Sequence, residues 1–104
     1  MRRKLSMDHA VRMAKWIQDN PEIDLANVVK QLSQKSGITS EALLSPRRTN
    51  MVAHTRFVLF DYYHRKGFSY HEIAELTRRV SHATVMHGIN ELQTYASEYH
   101  SLIE

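Results

Sequence analysis

Two helix-start signals twelve positions apart constrain this chain more than any other feature in it. Ser69-Tyr70-His71-Glu72 reads as a capping box. The serine hydroxyl accepts from a free backbone N–H, and the carboxylate reaches back to the serine's own N–H. An apolar run follows, Ile73, Ala74 and Leu76. After Arg78-Arg79-Val80, Ser81 is placed to cap a longer helix that opens His82-Ala83-Thr84-Val85-Met86-His87-Gly88. A short helix, a tight basic turn and a longer helix are the layout of a helix-turn-helix.

The rest of the sequence agrees with a helical protein. Three glycines and two prolines leave long stretches unbroken, and β-branched runs are scarce, so an all-α fold is predicted. With 104 residues, 42% of them apolar, there is room for one small core, and a single domain over 1–104 is expected. There is no cysteine, which excludes disulfides and thiolate metal sites. No apolar stretch approaches the roughly 20 residues that span a bilayer. Met1-Arg2-Arg3-Lys4 is not followed by the apolar core of a secretory signal. A cytoplasmic setting with no membrane contact is expected.

The formal net charge is only +3, but its distribution is uneven. Residues 45–90 carry Arg47, Arg48, Arg56, Arg65, Lys66, Arg78 and Arg79 against Asp61, Glu72 and Glu75. Residues 91–104 carry Glu91, Glu98 and Glu104 and no Lys or Arg. The positive potential therefore lies on the helix-turn-helix half and not on the tail.

Along the chain, Asp8 is placed to cap a first helix over 8–19. Val11, Met13, Ala14, Trp16 and Ile17 give it an apolar face, and Asn20-Pro21 ends it. Asp24 reads as the cap of a second helix over 25–36, with Leu25, Val28, Val29 and Leu32 as its stripe. Gly37 suits a left-handed stop. Thr39 caps a short helix, Ser40 to Leu44. Past the basic loop 45–50, a long helix runs from Met51 to Arg65. Its apolar residues wrap most of the circumference, which marks it as the central, buried helix, and Gly67 ends it. A fifth helix over 70–77 and a sixth from Ser81 to about Tyr99 complete a six-helix bundle.

The chemistry concentrates at the start of the sixth helix. A helix N-terminus presents free N–H groups and partial positive charge to a phosphate. Side chains of its first two turns can then reach base edges in a major groove. His82 and His87 can donate or accept, Thr84 offers a hydroxyl, and Ala83 can touch a thymine methyl. Val85, Met86 and Ile89 are expected to face inward. Arg47 and Arg48, in the Pro46–Asn50 loop, suit a narrow A·T-rich minor groove. Arg78 and Arg79 suit phosphates, with Arg56 and Lys66 as further candidates. Taken singly, each of these features also fits a capped helix with surface histidines and solvated basic loops.

Other chemistries find little support. His82 and His87 are five apart and do not share one helical face as metal-binding histidines four apart would. No paired carboxylates, Gly-rich phosphate loop or Ser/His/Asp order stands out. Neither a catalytic site nor a metal or cofactor is expected. Trp16, Phe57, Phe60, Tyr62, Tyr63 and Phe68 read as core residues, and Asp61 as structural.

Three stretches together resemble a known family, the C-terminal DNA-binding domain of the bacterial replication initiator DnaA. Val28-Val29-Lys30-Gln31-Leu32 through Gly37-Ile38-Thr39-Ser40-Glu41-Ala42-Leu43-Leu44-Ser45 resembles its opening helix and turn. Arg47-Arg48 followed by Val52-Ala53 and Arg56 resembles its basic loop and long helix. Ser81-His82-Ala83-Thr84-Val85-Met86-His87-Gly88 is similar to the signature D-H-T-T-V-x-H-A. The resemblance covers about Leu25 to Leu92, with a family-like core expected over 24–96 and an extra N-terminal helix over 1–21. It implies a Trp-repressor-like fold and sequence-specific binding of double-stranded DNA, in replication initiation or its regulation. It also implies a minor-groove role for Arg48 and base reading by His82, Thr84 and His87.

The departures bear on specificity. Ser81 stands where the signature has Asp, Ala83 replaces a Thr, Val80 replaces an Arg, and His64 replaces a lysine of the long helix. Loss of a carboxylate that accepts from a cytosine amino group changes that base preference. No G-x-x-x-x-G-K-[ST] motif for ATP is present. The helix over 8–19, with Trp16, could complete the core or pair with a second copy of the chain. The alternative to DNA reading is a protein-interaction adaptor that recruits replication proteins through that helix, with weak or non-specific DNA binding.

Overall fold

The computed structural model describes residues 5–45, 49–77 and 81–103, with side chains to Glu98. Among them are six helices and no strand: α1 (Leu5–Asp19), α2 (Val28–Ser36), α3 (Ser40–Leu43), α4 (Asn50–Arg65), α5 (Tyr70–Leu76) and α6 (His82–Ile103). The all-α, helix-turn-helix reading holds. None of these helices is long and apolar enough to cross a membrane.

Helix α4 is the hub. It packs against all five other helices. Val58, Leu59, Phe60, Tyr62 and Tyr63 are buried on it, as are the polar Thr55, Arg56 and Asp61. A helix apolar all round can be satisfied only by walls on every side. One wall is α1, through Met7, Ala10, Val11, Met13 and Ile17. Ser6 Oγ meets His54 Nδ1 at 2.6 Å. About three turns on, the Gln18 amide oxygen, turned toward Arg65, accepts from Nη1 at 2.8 Å and Nη2 at 3.2 Å. The two helices therefore run side by side in the same direction. The apolar face of α1 packs on α4 and α6 and completes the core.

Local chemistry explains where the helices begin. Asp8 does not cap α1, which starts three residues earlier. It is buried, and Tyr95 of α6 donates to Oδ1 at 2.6 Å. The second helix starts three residues later than its stripe suggests. Asp24 Oδ1 accepts from the N–H groups of Ala26 and Asn27, and Asn27 Oδ1 accepts from Asp24 N–H. These reciprocal bonds close a turn, which leaves Leu25 46% exposed. Gly37 stops α2 with φ 78°, a left-handed conformation that a Cβ would strain. Thr39 Oγ1 caps α3 from Ala42 N–H as expected. Helix α6 runs four residues past its expected end, because no Gly or Pro stops it at Tyr99.

Two predictions concern this framework. Tyr95→Phe removes a donor from the buried Asp8 carboxylate and should cost about 1–3 kcal/mol. That should lower the melting temperature by about 5–15 °C in a circular-dichroism melt. The second concerns His9 of α1, whose pKa is lowered by burial and then by Arg12. Its folded form binds a proton less readily than its unfolded form. Stability is therefore full above the ordinary value of 6.5 and falls as pH drops from there toward the lower folded value. In denaturant titrations, His9→Gln should flatten the stability–pH curve in that window.

Candidate nucleic-acid interface

The capping box at the start of α5 is fully formed. Glu72 N–H donates to Ser69 Oγ at 3.1 Å, and Ser69 N–H donates to Glu72 Oε1 at 2.9 Å. These bonds lower the Glu72 pKa. Thr77 ends the helix without a glycine, turning its buried hydroxyl onto the Ile73 carbonyl at 2.7 Å. Ile73 and Ala74 are buried, whereas Leu76 is 46% exposed.

Ser81 opens α6. Its Oγ accepts from Thr84 N–H at 3.1 Å and lies 2.8 Å from Thr84 Oγ1. The first turn is thus held locally, with both hydroxyls engaged. From there the helix divides cleanly. Val85, Gly88, Ile89 and Leu92 are buried, and Ser81, His82, Ala83, Thr84 and His87 are exposed. Met86 is a correction: it is 38% exposed and does not face inward. It lies one turn beyond His82, on the outward side of the helix.

Phe57 of α4 seats this helix. A Cβ added to Gly88 would stand 2.5 Å from Phe57 Cδ1, so the ring occupies the space that an alanine would need. The same ring meets His87 edge-on, with centroids 6.3 Å apart and planes at 89°. His54 also lies near it, at 5.4 Å between centroids. His87 Nε2 is also 3.8 Å from Glu91 Oε1. The helix backbone is thereby drawn close to α4, and the imidazole of His87 is steadied from below.

Arg56 is a second correction. It is 6% exposed, and it donates through Nε to Leu43 O at 2.8 Å and through Nη2 to Ala42 O at 3.1 Å. Burial lowers its pKa. Its guanidinium is directed at the carbonyl end of α3, where cations are favoured, and is not available to a phosphate. The same Ala42 carbonyl accepts from Ser45 N–H and Oγ. Arg56 therefore fixes the base from which the arginine loop departs. Lys66 is exposed, but it sits over the Tyr62 ring at 5.4 Å and lines a cavity of about 240 Å³ between α1 and α4 with Ile17 and Ile23. It is about 13 Å along α4 from Phe57. Arg47, Arg48, Arg78, Arg79 and Val80 lie outside the described residues.

The family model of the bacterial dnaA protein helix-turn-helix matches residues 25–92, well over half of the chain. The chain belongs to this family. Comparison with curated proteins and with solved structures found no match. A DnaA-type helix-turn-helix is a DNA-binding module and not a catalytic one. Among the described residues no cluster of three or more His, Asp or Glu side chains could hold a metal.

Two residues of this DnaA-type surface escaped the sequence reading. Asn90 is exposed three residues past His87 and seven past Ala83, hence on their face of α6. The helical spacing was the signal for it. His71 of α5 lies against His82 with centroids 4.3 Å apart and planes tilted by 33°. No spacing rule joins residues on different helices.

The Gly88–Phe57 contact gives a test of how the DnaA-type helix is seated. Alanine at an open helical position gains up to about 1 kcal/mol over glycine. At residue 88 the clash should outweigh that gain, so Gly88→Ala should destabilise by about 1–2 kcal/mol. Adding Phe57→Leu should recover most of the loss in the double variant, measured by urea denaturation.

Proposed function

We propose that this protein reads double-stranded DNA in a sequence-specific manner, with the first turns of α6 in the major groove. His82, Ala83, Thr84 and His87 are the base-facing side chains, with Ser81 at the entry. Arg48 reaches an adjacent minor groove, and Arg47, Arg78 and Arg79 neutralise phosphates. Membership of the DnaA family supports a role in replication initiation or its control. The observation that carries the reading is the division of α6. Four groups able to contact bases project outward from its opening turns, while Val85, Ile89 and Leu92 anchor the other side.

The proposed base preference differs from that of a helix opening with Asp. The Ser81 hydroxyl is engaged with Thr84, so no carboxylate waits there for a cytosine amino group. The adaptor reading is the weaker one. It relies on α1 and Trp16 as a partner surface. Trp16 is half-buried against the core, with the Lys35 ammonium 5.5 Å from its ring centre.

Selection from random duplexes should enrich one motif, and recovery of salt-sensitive binding with no motif would overturn the specific reading. With about three arginine–phosphate contacts, log Kd against log salt should have a slope of magnitude about 2–3. His82→Ala should cost about 1–3 kcal/mol at the selected site and relax preference at one base pair.

A further inference from the structure

We propose that His71, on the first helix of the motif, is a positioning residue for His82, so that the reading surface is a two-imidazole unit drawn from both helices. The inference rests on the base-reading role proposed for His82. Its own support is geometric. The two rings lie 4.3 Å apart between centroids with planes tilted by 33°, and both residues are exposed. His71 is the second residue of α5 and His82 the first of α6. The contact therefore bridges the two helices across the turn that separates them.

An exposed histidine on the first residue of a helix has little of its own helix to lean on and samples several rotamers. A group that reads a base edge must settle into one of them, and freezing it weakens binding. The buried side chains of α6 do not help, because they lie on the side away from His82. The stop for the His82 ring comes from the other helix. Behind His71 stands a fixed base: the Ser69–Glu72 box clamps the first turn of α5 through two hydrogen bonds. Ile73 and Ala74 tie that helix to the core. The order of support runs from the box, to the first turn of α5, to His71, to His82. A ring contact between two solvated imidazoles adds little to folding, so its effect should fall on what His82 touches.

The full chain, with His71→Ala, His71→Phe, His82→Ala and the double alanine variant, tests this. Affinities are measured for the selected duplex and for every single-base-pair change in it. His71→Ala should weaken binding about 5-fold and flatten preference at the same base pair that His82→Ala flattens. In the His82→Ala background it should do nothing more. His71→Phe keeps a ring without nitrogens and should restore the preference to near the starting value. Melting temperatures should be alike throughout. The positioning role is overturned if His71→Ala leaves the preference intact. It is also overturned if His71→Phe loses as much as His71→Ala, because the imidazole would then touch DNA itself. If the unaltered chain selects no motif, the base-reading proposal for His82 falls first and this inference falls with it.

Discussion

Everything in this fold depends on burying α4 on every side. An unpaired polar group in such a helix is costly, and an unpaired charge more so. Each polar residue at its centre is accordingly matched. Thr55 donates back to Met51 O at 2.7 Å, and Arg56 donates to the end of α3. Asp61 pairs with Arg65 at 2.8 Å and accepts from Gln93 of α6 at 3.3 Å. Arg65 in turn reaches Gln18 of α1. The hydrophobic contacts alone would tolerate small slips between helices. These directional bonds fix which turn of α1, α3 and α6 sits against which turn of α4.

The outward surface of α6 follows from that register. Phe57 and Gly88 fit as ring and notch, so the backbone of α6 approaches α4 closely at its second turn. With that point set, 3.6 residues per turn dictate that Ala83, His87 and Asn90 lie opposite Val85, Ile89 and Leu92. The DnaA signature has alanine where this chain has Gly88. In this chain the smaller residue stands over the Phe57 ring.

Much of this was legible in the residues themselves. The capping box at Ser69–Glu72, the caps at Thr39 and Ser81 and the stop at Gly37 are local chemistry, written within a few positions. The hub role of α4 was legible from apolar residues all round it. Most of what escaped was decided at a distance. Asp8 looked like a cap because Asp at a helix start usually is one; its partner, Tyr95, lies 87 residues away. Arg56 looked like a free cation because nothing nearby in sequence announces the carbonyls of Ala42 and Leu43. Leu25 and Met86 fitted apolar stripes, yet an Asx turn and the seating of α6 left them facing water. His71 and His82 are eleven apart on separate helices, and only the fold brings their rings together.

Helix α1 lies outside the stretch that matches the family, residues 25–92, yet it forms one wall of the hub. A fragment trimmed to the matched boundary would uncover the face of α4 that carries His54, Val58, Asp61 and Arg65. The segment recognisable by likeness is thus shorter than the set of helices packed around α4. In this chain the cover for that face of the hub comes from Leu5–Asp19, a helix that the likeness alone does not announce.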